Sequence, residues 1–391
     1  MKERRYDIDW LRVLAILVIF IFHNARFFDS HPWHIKNAEQ KLGVLIFVGF
    51  VDAWIMPLFF FLSGVGSWYS LKHRSSGRYL LERVLRLLVP MYTVGVFILL
   101  PPQLYWDRLT NGRFIGSFRQ FYPEFFKSFY LDIFAPFILP WPGHLWFLVF
   151  LFTVSLLSLP IMIFLKSDSA RRSLSRLAQW CNMRGGIFLL ILPLFLLRAG
   201  LQGLFRGDHT PADMFCYMLF FLLGYILPAD ERFTKSLKRH AWICLPLGLA
   251  GFAAEGGLLL GLGYQAFPGQ GFSQFRLYLL LQLVMSVQGL CWIVFFVGTS
   301  AKYLHFKNRM LIYCNEAVLP FYILHQTLIL FVGSYVVKWN MGIAPKYLII
   351  SVTSFVLIMA AYELLIRRFN WVRFLFGMKT KKLRRPLSLL T

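Results

Sequence analysis

The sequence predicts an all-α, polytopic integral membrane protein of about ten transmembrane helices. Composition, hydropathy and basic-residue placement carry that reading. The 391 residues are 58% hydrophobic and only 15% charged, with a mean hydropathy of +0.60. Since roughly 17–25 apolar residues cross a bilayer, spans are expected at about 10–28, 43–69, 84–100, 144–165, 186–204, 212–228, 241–262, 278–298, 316–337 and 346–366. Lys and Arg alternate between successive loops. The set that includes Lys166, Arg171, Arg172, Arg176, Arg184 and the tail from Arg367 to Arg385 holds more than twice as many as the opposite set. Both termini are therefore expected in the cytoplasm. Residues 1–378 then form one transmembrane domain and 379–391 a basic cytoplasmic tail.

The first span, "DIDWLRVLAILVIFIFHNARFF" (Asp7–Phe28), carries Arg12 and His23 where lipid penalises both. Eleven residues separate them, which in an α-helix is three turns plus roughly 20° and a rise of ~16 Å. Arg12 and His23 thus share one stripe, with Asp9 a turn below Arg12. Such a stripe faces protein or water rather than lipid. A cleaved signal peptide would end in small residues. Phe22, His23, Asn24 and Arg26 stand there instead, so the segment is expected to stay as a first helix. The second span contains Pro57. The third opens on Arg83 and Arg86, a turn apart, and includes Pro90; neighbouring helices can satisfy a carbonyl freed by proline. The long outer loop 101–143 is aromatic ("FRQFYPEFFKSFYLDIFAPFILPWPG") and too interrupted to span, so an interfacial or re-entrant segment is expected. Its rings suit either a headgroup belt or contact with sugar rings. Among the later spans, "AGFAAEGGLLLGLG" holds Glu255, the ninth places His325 at mid-membrane, and the tenth pairs Glu363 with Arg367 one turn on.

Several function classes are disfavoured. The net charge of +23 lies between spans and at the tail, where it meets anionic lipid, and no soluble basic groove accompanies it, so no nucleic-acid partner is expected. Cys181, Cys216, Cys244, Cys291 and Cys314 show no CxxC spacing and imply neither a disulfide framework nor a metal knuckle. His31, His34 and Glu39 lack a third strong ligand or a helical zinc motif, so no metal is expected. No G-x-S-x-G elbow marks a nucleophile.

Asp9-x-x-Arg12 followed by His23 resembles the first-helix motif of the membrane acyltransferase 3 family. "FFFLSG" (Phe59–Gly64) is similar to the family's second-helix ending. "RVLRLLVP" matches its basic third helix with Arg83-x-x-Arg86 and Pro90, and "FYILHQTLI" places His325 as in its penultimate span. A narrower likeness, in "SHPWHIKNAE" (Ser30–Glu39), "GHLWFL" (Gly143–Leu148), "LHQTLILFVGSYV" (Leu324–Val336) and "YELLIRRFNWVRFLFGMK" (Tyr362–Lys379), points to the branch implicated in succinylating periplasmic glucans. A histidine is expected in that branch where this chain has Asp52, which leaves the acyl group and acceptor open.

The resemblance implies a multi-pass O-acyltransferase of the bacterial inner membrane. It would take an acyl group, succinyl or acetyl, from cytoplasmic acyl-coenzyme A to a hydroxyl of an extracytoplasmic carbohydrate, with no permanently bound cofactor. Arg12, Arg83 and Arg86 are the candidate phosphate ligands for coenzyme A, because a guanidinium fork fits phosphate oxygens; positive-inside anchoring is the alternative for Arg83 and Arg86. The ~16 Å rise from Arg12 to His23 is comparable to an extended pantetheine arm. His23 is the candidate general base, since an unperturbed imidazole titrates near neutrality, against a helix-bridging hydrogen bond. His325 and Asp9 complete the candidate catalytic set, with a structural bridge the alternative for His325. His31, Trp33, His34, His144 and Trp146 form the candidate acceptor side. The main rival is a transporter, since intramembrane charges also line transport paths; a non-catalytic assembly partner is a third reading.

Overall fold

Where no water reaches the backbone, a helix satisfies each amide within its own segment, and apolar residues build both the packed and the lipid-facing sides. The computed structural model follows that logic and describes residues 4–128, 130–132, 137–139, 142–205, 207, 209–262 and 272–381. In chain order the helices are α1 (Tyr6–Ala25), α2 (Leu42–His73), α3 (Ser76–Thr110), α4 (Phe118–Phe125), α5 (Gly143–Leu157), α6 (Leu159–Phe164), α7 (Asp168–Asn182), α8 (Gly186–Leu201), α9 (Pro211–Ile226), α10 (Glu231–Leu262), α11 (Phe272–Tyr303), α12 (Arg309–Val336), α13 (Ile343–Ile366) and α14 (Asn370–Leu375). Eight of these, α1–α3 and α9–α13, are long and apolar enough to cross a bilayer, and α5 and α8 are shorter apolar helices. Together they match the ten expected spans. Among the described residues the only strands are a short antiparallel pair, β1 (Tyr130–Asp132) and β2 (Phe137–Leu139), with Tyr130 opposite Leu139. Most of the basic tail, 382–391, lies outside the described residues.

The outward faces are apolar. On α13, Leu348, Val352 and Val356 are exposed while Ile350, Ser354 and Ile358 are buried. That pattern suits a helix with lipid on one side and protein on the other.

The structure refines three sequence expectations. The third span, expected at 84–100, belongs to one helix that runs to Thr110. Two π-helical turns, Val84–Leu88 and Met91–Leu99, flank Pro90, and Pro101 and Pro102 fall at the first positions of the α-helical stretch that follows, where a missing N–H is least harmful. The 144–165 span is broken at Ser158, just before Pro160. The loop between 166 and 184 contains α7, whose Ala170, Leu174, Ala178 and Cys181 form a buried stripe that a search for bilayer-length segments passes over.

The chain folds as two compact units interleaved in sequence: Met1–His31, Gln40–Leu80 and Phe150–Glu316; and Pro32–Glu39, Leu81–Val149 and Ala317–Thr391. In the first unit α10 packs on α11, α2 on α9, and α1 on both α2 and α11. Its core is aromatic: Trp292 meets Phe50 and Phe296 at centroid distances of 5.2 and 5.8 Å. The crossing of α2 and α9 explains the glycine of "FFFLSG". A Cβ on Gly64 would collide with the Phe221 carbonyl, and one on Gly224 with the Phe61 carbonyl, so this reciprocal pair lets two backbones touch.

In the second unit the aromatic outer loop makes its own small core. Phe121 and Phe125 of α4, one turn apart, are fully buried. Tyr105 packs on Phe118 and Phe121 at 5.5 and 5.6 Å, and a Ser117–Gln120 capping box starts α4. The segment 32–39 is tied into this unit by buried Lys346, whose Nζ donates to Asn37 Oδ1 and the Val337 carbonyl, both at 2.8 Å.

Candidate active site

Two groups of polar residues stand out, one in each unit. In the first unit, Asp7 and Asp9 occupy the first turn of α1, where the helix dipole favours negative charge. Asp7 is buried against Arg5 at 2.6 Å. Asp9 accepts from Arg4 at 2.8 Å and from Arg12 at 3.3 Å. The other arm of the Arg12 guanidinium donates to the Leu62 carbonyl at 3.4 Å and lies 3.7 Å from where a Gly66 Cβ would sit. Arg12 therefore reaches from α1 onto the "FFFLSG" end of α2, held from behind by Asp9. Asp9 itself is fourteen residues from His23, ~21 Å along the axis, so it orients the guanidinium rather than the imidazole.

Helix α1 is unbroken to Ala25, so the Arg12–His23 rise of ~16 Å holds. His23 is half-buried and meets the Phe22 ring edge-on at 5.0 Å. Beyond the helix, Arg26 bonds fully buried Asp29 at 2.9 Å, and Asp29 Oδ1 accepts from the His31 amide at 2.7 Å. That turn leaves the His31 ring exposed.

In the second unit a buried network gathers His34, Gln103, Asp107, His144, Gln326 and Thr327. Acceptor-only groups at its ends set the direction of its hydrogen bonds. His144 Nε2 is 3.1 Å from the Ile323 carbonyl, which only accepts, so Nε2 carries the proton and Nδ1 accepts. Gln103 Nε2 supplies that donor at 3.2 Å and also donates to Thr327 Oγ1 at 2.7 Å. Gln326 Nε2 donates to Gln103 Oε1 at 3.2 Å and to His34 Nε2 at 3.0 Å. His34 Nδ1 then carries its proton and faces Asp107 Oδ1 at 3.3 Å. Both nitrogens of His144 are hydrogen-bonded, which anchors that ring in one tautomer, while His34 is held through Nε2.

His325 stands beside this network, with its ring perpendicular to that of His144 at 5.1 Å. Its Nδ1 donates to the Tyr322 carbonyl at 2.5 Å, which leaves Nε2 as the basic nitrogen. The Tyr322 hydroxyl in turn donates to the His144 carbonyl at 2.5 Å.

The structure thus joins Asp9 to Arg12, and His34, His144 and His325 to one another. Trp33 and Trp146 are half-buried, the former 5.4 Å from the His34 ring. Arg12 belongs to the first unit, while half-buried Arg83 and exposed Arg86 belong to the second. Arg86 lies in a π-helical turn, with Gly377 packed so close that a Cβ there would come within 2.7 Å of the Arg86 carbonyl. Glu363 and Arg367 form the expected i,i+4 pair at 3.0 Å.

Gln103, Asp107, Tyr322, Gln326 and Thr327 are missing from the sequence reading. Gln103 and Asp107, one turn apart at the end of an apolar helix in "PPQLYWDRLT", were a usable signal, as were the two polar residues directly after His325.

Comparison with known proteins identifies the family. Residues 5–363 match the acyltransferase-domain family model. Glucans biosynthesis protein C of Escherichia coli O139:H28 (strain E24377A / ETEC) is 24% identical over 357 residues, covering 85% of this chain and 84% of that protein. The same protein from E. coli O6:K15:H31 is 23% identical over 354 residues, with the same coverage; that of strain K12 is 24% identical over 357 residues. No solved structure matches. A family match across nearly the whole chain, on a bundle of bilayer-length helices, makes this protein a multi-pass membrane enzyme that belongs to the acyltransferase family.

Proposed function

We propose that the protein is an O-acyltransferase of the bacterial inner membrane that moves an acyl group from cytoplasmic acyl-coenzyme A to a hydroxyl of a periplasmic glucan. The observation that carries this reading is the unbroken helix α1, with Arg12 fixed by Asp9 near one end and His23 near the other. Arg12 binds the phosphates of the donor at the cytoplasmic face through charge-assisted hydrogen bonds. The pantetheine arm runs along α1 and brings the thioester to His23. The imidazole takes the proton of the acceptor hydroxyl, and the oxygen attacks the thioester carbonyl carbon. The C–S bond breaks, and the coenzyme A thiolate recovers the proton from the imidazolium. Within the second unit, His325 offers Nε2 as a hydrogen-bond acceptor, a group that can hold a hydroxyl but cannot polarise a carbonyl.

The name of the relatives, glucans biosynthesis protein C, supports a glucan acceptor, and succinyl is the preferred acyl group over acetyl. The test is a purified protein given acyl-coenzyme A with and without a soluble glucan. Thioester cleavage that requires the glucan, with an ester on the sugar by mass spectrometry, is the expected result. Donor left intact in both arms would overturn the reading and favour a transporter.

A further inference from the structure

A second set of polar groups inside the first unit takes no part in the chemistry above. It lies toward the end of the bundle where α8 and α10 finish and α9 and α11 begin. Arg198, near the end of α8, donates from Nε to Gln282 Oε1 at 3.3 Å and from Nη2 to Met285 Sδ at 3.1 Å. Among the described residues no carboxylate forms an ion pair with it. Tyr278, one turn before Gln282, ties α11 to the same place by donating to the Ala199 carbonyl at 2.9 Å. Glu255 of α10 accepts from Gln288 Nε2 and feels the charge of Arg198. Tyr217 of α9 lies within electrostatic reach of Asp52, Asp213 and Arg198, and its ring stacks flat on Phe60 at 4.6 Å with 2° between planes.

Two observations point to a ligand. Gln288 is 98% enclosed, at 2% relative exposure; its Nε2 is committed to Glu255, yet its Oε1 is buried with no partner. Either orientation of the amide leaves one of its two polar atoms buried without a partner, and native interiors rarely leave one. Asp52, in turn, is exposed within a membrane-spanning helix while interacting with Tyr217. A carboxylate facing lipid would be heavily penalised, so it faces an accessible polar space.

The set mixes acceptor carboxylates, amides that both donate and accept, one guanidinium and a stacked aromatic pair. Arg198 offsets much of the acidic charge, which argues against a dedicated cation site. Hydroxyl groups, which donate and accept in turn, are the ligands such a mixture satisfies. We propose that Asp52, Arg198, Tyr217, Glu255, Gln282 and Gln288 form a saccharide-binding site within the first unit. That the saccharide is the acyl acceptor rests on the transfer reading above; the binding itself does not.

The test uses the full chain in lipid nanodiscs, with cellopentaose and laminaripentaose as probes and calorimetry as readout. Wild type is expected to bind at least one of them. Gln288→Leu and Tyr217→Phe should each weaken binding about five- to tenfold, the size of one polar contact, with acyl-coenzyme A affinity unchanged. Gln288→Leu strips a donor from Glu255 and can lower the folded yield. Tyr217→Phe keeps the ring stack and deletes only a hydroxyl, so it decides the matter. A wild type that binds neither probe, or a folded Tyr217→Phe that binds like wild type, overturns the proposal. Binding that is weakened by the variants in a protein that transfers no acyl group would uphold the site and refute the transfer reading instead.

Discussion

Replacing Gln103 with leucine should destabilise the second unit through a nameable set of lost partners. Gln103 is fully buried. Its NH2 group donates to Thr327 Oγ1 and His144 Nδ1, with the Leu99 carbonyl 3.1 Å from the same nitrogen, and its Oε1 accepts from Gln326. Leucine fills nearly the same volume without any of these groups. The losses are unequal. The Leu99 carbonyl keeps the Thr327 hydroxyl at 3.0 Å, and Gln326 keeps His34. His144 Nδ1 is left buried with no donor, which costs about 1–3 kcal/mol; two further hydrogen bonds lost at about 1 kcal/mol each bring the total to roughly 3–5 kcal/mol. Reversible unfolding in mixed micelles measures this directly. The partner substitution His144→Phe removes the orphan, so the double variant should be less destabilised than the sum of the singles by at least about 1 kcal/mol. A folded Gln103→Leu protein within about 0.5 kcal/mol of wild type, or strictly additive variants, would show that the network does not hold the unit together.

Other perturbations read the remaining assignments. His23→Gln keeps a hydrogen-bonding group without a base and should lose roughly 10²–10⁴ in transfer rate at unchanged donor affinity; a rate above about a tenth of wild type would remove His23 as the base. Arg12→Ala should weaken acyl-coenzyme A binding by about 1.5–3 kcal/mol, Arg12→Lys by part of that, and Asp9→Asn by less than Arg12→Ala, in isothermal titration. Equal donor affinity in all three would make Arg12 an anchor. Ile115 is 94% exposed between α3 and α4; Ile115→Cys should react with an impermeant thiol reagent from outside, while a reporter after Thr391 stays in the cytoplasm. Burial pushes the Cys181 thiol up to about 11, so with the other cysteines replaced its alkylation should rise about tenfold per pH unit from pH 8 to 10, following the thiolate fraction. A plateau near pH 9 would contradict that burial.

Membrane class, the ten apolar segments and the Asp9–Arg12–His23 stripe were all legible in the sequence. Each is a property of one continuous segment: hydropathy adds residue by residue, and helical phase follows from a fixed 100° per residue. The same locality explains the helix lengths that went unread. Pro90 and Pro101 signal interruption, yet α3 runs through them by widening into π-helical turns and by placing prolines where no N–H is needed. The hydrogen bond that the Tyr79 hydroxyl donates to Ser67 Oγ, and the α2–α9 contact at Gly64 and Gly224, depend on which segments the fold brings together. The histidines show the limit most clearly. His31 and His34 stand three residues apart in one loop, but a turn around Asp29 leaves the first ring exposed, whereas the second is buried against Asp107 and Gln326. No spacing rule links residues 34, 103, 107, 144 and 326. The tertiary structure alone decided that network, because a buried polar group must find its partner wherever the packed chain supplies one, at any distance along the sequence.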